Sequence, residues 1–298
     1  MKILIKSIYK RHIKGLKGGN KLKIGFWSNL QGQGATTSNL IAIGIMSVLQ
    51  YRSKVFLTQS HFNLNNLDSS FLSIPEANQK SYFMNVGIDA MIRAIKSTYL
   101  DEEIIENCSL SYMNNGLVLL PATVKKNRQL FEEDLFKTIT SILHVVERYH
   151  DLVMVDVYPR ENQVTNKILE SVDLLVINLR QNLRMLNDYE DNFLKKFQDK
   201  NKVYLFGCYD SNSRYSITNL RKQYSWLRGN NVGIIPYNTE FMDSLSEGKA
   251  IPFFYKNLLA DKDDPNQYFI KEVKKAANLI QSYMEVKRWE KEWIMQQI

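Results

Sequence analysis

Six consecutive residues, Gly32, Gln33, Gly34, Ala35, Thr36 and Thr37, form the most chemically suggestive stretch of this sequence. They close a turn over Asn29–Gly34 that follows a short apolar run, Lys23–Ser28. They lead into Leu40, Ile41, Ile43, Gly44, Ile45, Val48 and Leu49. The pattern predicts a strand, a glycine turn and a buried helix opened by two threonines. A turn of this kind holds phosphate. Its glycines let the backbone come close to the anion, and the helix start offers unpaired N–H groups and the positive end of a dipole. The usual loop reads G-x-x-x-x-G-K-[ST], and its lysine reaches the β- and γ-phosphates. Ala35 stands where that lysine belongs. Asp156, near the carboxyl end of the apolar run Leu152–Val157, is the acid placed to serve such a loop. Thr36 and Asp156 are the candidate Mg²⁺ residues, Thr36 directly and Asp156 through water. The bland alternative is that Thr36 merely opens the helix and Asp156 is a strand-end acid in a polar cleft.

Apolar runs and helical periodicity alternate along the rest of the chain. Strands are expected at Lys54–Gln59, Leu117–Leu120, Leu152–Val157, Asp173–Leu179, Lys202–Gly207 and Val232–Ile235. Helices are expected at Gly87–Tyr99, Gln129–Tyr149, Asn166–Ser171, Leu183–Gln198, Ile217–Leu227 and Gln267–Ile298. About seven such repeats predict an α/β fold with a single doubly wound, mostly parallel sheet flanked by helices. Three segments are expected: a basic amphipathic arm over 1–20, an α/β domain over 21–260, and a C-terminal helix over 261–298 that packs on the domain or extends from it. Val286, Trp289 and Trp293 fall on one face of that last helix, which suits a core or dimer contact.

Charge is concentrated at one end. The chain carries 39 basic and 31 acidic residues, a net charge of +8. Residues 1–23 hold Lys2, Lys6, Lys10, Arg11, Lys14, Lys17, Lys21 and Lys23 and no acid, so the remainder is neutral. A neutral body gives no support for a nucleic-acid groove. Within the arm, Ile5, Ile8, Tyr9, Ile13 and Leu16 recur at helical spacing between lysines. Such a helix is marginal alone in water and needs a surface. Anionic lipid, to which each basic residue contributes about 1 kcal/mol, is one; a partner protein, DNA and the protein's own body are others. No apolar run reaches the roughly 18 residues of a membrane span, and no signal peptide is visible. The two cysteines, Cys108 and Cys208, have no metal or redox spacing and suit a reducing cytosol. The four histidines show no metal spacing, and His61 reads as a surface or packing residue.

Several stretches together resemble the ParA/MinD class of P-loop ATPases, in particular its TadZ/CpaE-like branch associated with pilus assembly. That family's loop reads K-G-G-x-G-K-[ST]-[ST]. Gly32, Gly34, Thr36 and Thr37 match it, while Leu30 and Ala35 fall at its two lysines. KVFLTQSHFNLNNLD resembles the family's second strand and switch segment; Gln59 and His61 fall at the two acids of its D-x-D, and Asn66, Leu67 and Asp68 fit. GLVLLPAT resembles the next strand, and YHDLVMVD the Walker B strand with its acid, Asp156. GCYDSNSRYSITNL and IPYNTEFMDSLSEGKA resemble the late strand ends that bracket the base and the closing helix. The resemblance covers roughly residues 21–252.

The resemblance implies a nucleotide-binding face built from Gly32, Gln33, Gly34, Ala35, Thr36 and Thr37. By motif position, Tyr209, Pro236 and Asn238 belong to the base pocket. It implies ATP and Mg²⁺ as ligands and a homodimer across the nucleotide face. In the family the early lysine acts on the partner's nucleotide, and the loop lysine holds the phosphates. Phosphoryl transfer is catalysed by positioning and charge stabilisation, so losing both lysines and the switch acids should abolish useful hydrolysis. The reading that follows is a catalytically degraded, cytoplasmic localisation or assembly factor for a pilus or secretion machine, peripheral to the membrane if the arm binds lipid. Two others stand beside it. One is an active ATPase in which Lys54, Arg160 or Arg180 reaches the phosphates. The other is a DNA-partitioning protein of the ParA kind.

Overall fold

The computed structural model describes residues 21–62, 66–72, 85–97 and 101–297, with side chains as far as residue 285. The expected arm helix of residues 1–20 lies outside the described residues. The Val286, Trp289 and Trp293 face lies outside the described side chains.

Eight strands form one sheet in the order β3-β4-β2-β5-β1-β6-β7-β8. They are β1 (Leu22–Trp27), β2 (Val55–Gln59), β3 (Leu110–Tyr112), β4 (Leu117–Leu119), β5 (Leu152–Asp156), β6 (Leu174–Leu179), β7 (Lys202–Tyr209) and β8 (Val232–Pro236). Every pairing is parallel except β3 with β4. Strands β2, β5 and β6 are buried along their whole length. Burial on both faces explains why they read as continuous apolar runs rather than alternating ones.

The helices are α1 (Thr36–Tyr51), a single turn α2 (Asn66–Ser69), α3 (Ile88–Ser97), α4 (Glu102–Cys108), α5 (Arg128–Glu147), α6 (Gln163–Ser171), α7 (Leu183–Asn192), α8 (Ile217–Gln223), α9 (Thr239–Ser246), α10 (Ala250–Asn257) and α11 (Gln267–Gln297). They divide between two apolar cores. One face of the sheet carries α3–α8, through residues such as Phe131, Ile142, Ile168 and Met185. The other carries α1, α9, α10 and α11, where Phe241, Phe253, Phe254 and Phe269 meet ring to ring. Successive strand residues feed the two cores in turn: Leu152 and Met154 one, Val153 and Val155 the other. The first half of α11 packs on α1 and β8 through Phe269, Val273, Ala277 and Ile280. No described helix is long and apolar enough to cross a membrane.

Three departures from the expected elements have local causes. The predicted helix Leu183–Gln198 stops at Asn192, because Phe193 and Phe197 turn in to place their rings 4.9 and 5.2 Å from Trp27. The predicted helix Ile217–Leu227 breaks at Tyr224, whose backbone is extended and whose ring is buried. Trp226 follows in a short 3₁₀ turn, its ring 4.9 Å from Tyr204. The edge strand β3 and the short helix α4 fill a stretch where no element is expected.

Candidate functional site

The site is built at the carboxyl ends of the central strands, where ligands of open α/β sheets bind. β1 lies between β5 and β6, and the loop Ser28–Ala35 leaves its carboxyl end. Gly32 has φ +71, a conformation open to glycine. At Gly34 a Cβ would lie 2.5 Å from Ser28 Oγ and 2.8 Å from the Asn178 carbonyl oxygen, so only glycine lets the loop lie this close to the sheet. Ser28 Oγ donates to the Leu30 carbonyl at 3.3 Å, and the Gln33 N–H donates to the same oxygen at 3.3 Å. Asn29 Nδ2 donates to the Met185 carbonyl and Asp188 Oδ2, tying the loop to α7.

Ala35 is left-handed, with φ 55 and ψ 32, and α1 starts directly after it without a side-chain cap. Helices α4 to α9 all begin on an Asp, Asn or Ser whose side chain takes an N–H of the first turn. α1, by contrast, keeps its first-turn donors free of any side-chain cap, which suits an anion. Ala35 Cβ lies close over Gly207 of β7. Asn39, one turn into α1, donates from Nδ2 to Asn178 Oδ1 at 2.9 Å and pins the helix to β6. The two residues at the family's lysine positions are therefore both packing groups. Leu30 is partly buried against the core under α3–α8, and Ala35 lies against β7.

Asp156 is 1 % exposed. It is in register with Phe26 of β1 and Gln59 of β2. Its Oδ2 accepts from Thr37 Oγ1 at 2.5 Å. Thr36, the residue expected beside the acid, is half-buried in the first turn, and the contact to Asp156 comes one residue later. His61 Nε2 lies 3.2 Å from Asp156 Oδ1, but the two are not aligned as a hydrogen bond. His61 is thus a largely buried histidine that packs on the Tyr158 ring and also lies beside the acid. Its position follows from the register of β2 on β5, which pairs Gln59 with Asp156 and brings the next residues over the acid, and no sequence pattern marks it.

The proposed base-pocket residues sit together at the next strand ends. Tyr209 and Pro236 are register partners on β7 and β8. Tyr209 Oη accepts from the Ile217 N–H at 3.2 Å. Asn238 caps α9, its Oδ1 accepting from the Phe241 N–H at 2.7 Å, and its Nδ2 donates to Asn266 Oδ1 at 2.7 Å. Of the three cations considered for a substitute clamp, Arg160 and Arg180 are exposed at the ends of β5 and β6, on either side of β1. Lys54 precedes β2 at the opposite, amino-terminal edge, where its backbone N–H donates to Asp151 Oδ2. That position removes it from the loop.

Solved structures similar to this chain are ParA/MinD-family ATPases. The ParA family ATPase from Chlorobium tepidum TLS is 18 % identical with a TM-score of 0.66, over 87 % of this chain and 98 % of that one. The septum site-determining protein MinD from Pyrococcus horikoshii, solved with Mg-ADP, is 11 % identical with a TM-score of 0.65, over 90 % and 98 %. MinD in the MinC:MinD complex of Aquifex aeolicus is 17 % identical with a TM-score of 0.62, over 88 % and 96 %. No family model matches the sequence, and no curated protein matches it. At these identities the likeness establishes the fold, and the fold is that of the ParA/MinD-type P-loop NTPases.

A magnesium nucleotide in one of those structures raises the question of whether this site suits a cation. Buried polar atoms without partners are the test. Asp156 Oδ1 and both ring nitrogens of His61 are buried and accept or donate no hydrogen bond within the protein. Asp156 meets the uncapped start of α1 through Thr37, and these atoms suit a positive ion.

Proposed function

We propose that this protein is a ParA/MinD-like nucleotide-binding protein that has lost catalysis. It acts as a localisation or assembly factor in the cytoplasm, and by resemblance to the TadZ/CpaE-like branch it serves a pilus or secretion machine. The observation that carries this reading is the pairing of a kept cradle with discarded clamps. The glycine turn and the uncapped first turn of α1 face Asp156, while Leu30 and Ala35 are spent on packing. Backbone donors and a helix dipole hold an anion equally in ground and transition states, which gives binding without rate. Removing one charge-stabilising donor costs an active site about 3–4 kcal/mol of transition-state stabilisation, and here two lysines are replaced. A cation bound beside Asp156 would supply part of the missing positive charge.

Calorimetric titration with ATP and ADP tests the reading. Wild type is expected to bind with micromolar affinity. A Thr36→Trp variant, whose ring fills the cradle, is expected to lose that binding, and neither protein should release phosphate above the buffer rate. Phosphate release that disappears in Asp156→Ala would instead establish the active-ATPase reading. A homodimer across the nucleotide face, and docking of the 1–20 arm on anionic membrane, belong to the same proposal. Deleting residues 1–20 should abolish sedimentation with anionic liposomes while leaving nucleotide binding intact.

A further inference from the structure

We propose that His61 and Asp156 form a two-ligand site for an imidazole-accepting divalent ion, which the bound nucleotide completes with phosphate oxygens. The inference rests on the nucleotide-binding reading of the loop and names the ion that this site takes.

Nε2 of His61 and Oδ1 of Asp156 lie 3.2 Å apart. They come from the ends of adjacent strands held in fixed register. The Ser60 N–H donates to the Asp156 carbonyl at 3.0 Å, and the Tyr158 N–H donates to Ser60 Oγ at 2.9 Å. Such a distance normally marks a hydrogen bond, but the two atoms are not aligned as one, and neither has another partner in the protein. Two ligands of a single ion have this relation. With metal–ligand distances of about 2.0–2.2 Å, cis ligands stand roughly 3 Å apart, each lone pair pointing at the ion rather than at the other ligand. Thr37 Oγ1, donating to Oδ2 at 2.5 Å, leaves Oδ1 as the coordinating oxygen and fixes its direction. The Tyr158 ring, its centre 5.6 Å from that of the imidazole and nearly perpendicular to it, packs against His61 beside the acid. Arg128 in turn lies over the Tyr158 ring at 5.2 Å.

The ligand set selects the ion. Magnesium takes oxygen ligands and keeps its waters, whereas imidazole suits manganese less strongly than zinc, nickel or cobalt but far better than it suits magnesium. Two protein ligands are too few for a structural metal. Asp156 is joined through Thr37 to the uncapped first turn of α1, where a phosphate would bind, so the ion is expected to bind together with the nucleotide.

The test combines a spectroscopic readout with a binding readout. Pulsed electron paramagnetic resonance of Mn²⁺ added to the protein with ADP is expected to show nitrogen coupling from one directly bound imidazole. That coupling should vanish in His61→Ala. Calorimetry is expected to show ADP binding tightened about tenfold more by Mn²⁺ than by Mg²⁺ in wild type, and equally by both in His61→Ala. Equal enhancement by the two ions in wild type, or no nitrogen coupling, would overturn the proposal. Coupling that persists in His61→Ala would overturn it too. If ADP fails to bind with or without metal, the nucleotide reading fails on its own. The ion site is then decided by nitrogen coupling from saturating Mn²⁺ with pyrophosphate: its presence in wild type and loss in His61→Ala upholds the site, and its absence overturns it.

Discussion

A methyl group on Gly207 would lie 2.6 Å from Asn39 Nδ2 and 2.7 Å from the Cβ of Ala35. Neither neighbour is the loose end of a long side chain. Asn39 is bonded to Asn178, and Ala35 carries the left-handed bend that starts α1. Gly207→Ala is therefore expected to destabilise the protein by about 1–3 kcal/mol, the usual cost of overpacking, measured by urea denaturation. It should also weaken nucleotide binding, because the strain falls on the turn that aims the first N–H groups of α1. Unchanged stability would mean that Ala35 is free to move. The same small region shows what sequence reveals and what it hides. Gly32–Thr37 and Asp156 are legible because their types and spacing are local. The contact of Thr37 with Asp156, and the approach of His61 to the same carboxylate, depend on how β1 and β2 are registered on β5, which follows them by about 100 residues or more. No local pattern encodes that.

Asp68 makes a second residue-scale case. The carboxylate is buried; Oδ2 accepts from the Ala122 N–H at 2.9 Å, and Oδ1 has no partner. Burial pushes its pKa from 3.8 up to about 7, against the lowering effect of the Ala122 hydrogen bond. The folded value lies above the unfolded one, so the folded state binds the proton more tightly. This group's contribution is fully favourable below about pH 4 and is lost as pH rises toward 7. Asp68→Asn keeps an acceptor for the Ala122 N–H and carries no charge. Its stability advantage over wild type is expected to grow by roughly 2–3 kcal/mol between pH 5 and pH 8, read from urea midpoints at the two values. A constant difference would show that the folded protein ionises Asp68 without cost.

Among the elements, α1 does most to define the site, and both of its ends are left-handed: Ala35 at the start and Arg52, with φ 56, at the finish. The Arg52 N–H donates to the Val48 carbonyl at 3.0 Å, the closure that glycine usually supplies at a helix end. An L-residue in this conformation costs about 1–2 kcal/mol, and glycine returns part of that gain as unfolded-chain entropy. Arg52→Gly is expected to stabilise the protein by about 0.5–1 kcal/mol in thermal denaturation without touching the loop; a loss of stability would show that the arginine side chain holds something the backbone does not. Elements like α1, β2, β5 and β6 were legible because they are apolar runs long enough to show their period. Three kinds were not. β3 is three residues long and antiparallel at an edge. α7 ends early only because Trp27, more than 150 residues away, receives Phe193 and Phe197. α9 and α10 are short helices specified by the box of Phe241, Phe253, Phe254 and Phe269 rather than by periodicity.

At the scale of the whole molecule, the residues at the two lysine positions bear on how copies of this chain associate. In the family this chain resembles, the early lysine reads the partner's nucleotide, so association reports the γ-phosphate. Leu30 occupies that position and packs partly buried against the protein's own core. Ala35, at the second lysine position, is committed to the contact with Gly207. No side chain at either position extends from the loop to exchange charge with a second copy. The proposed homodimer then has no means to distinguish ATP from ADP through these residues, and its strength must come from surface burial alone. Sedimentation velocity is expected to give the same dimer fraction with ATP, with ADP and without nucleotide. A dimer that forms only with ATP would overturn that expectation. It would require another cation to have taken over the lysine's role, and Arg160 and Arg180, exposed on either side of the loop, are the residues whose alanine variants would then identify it.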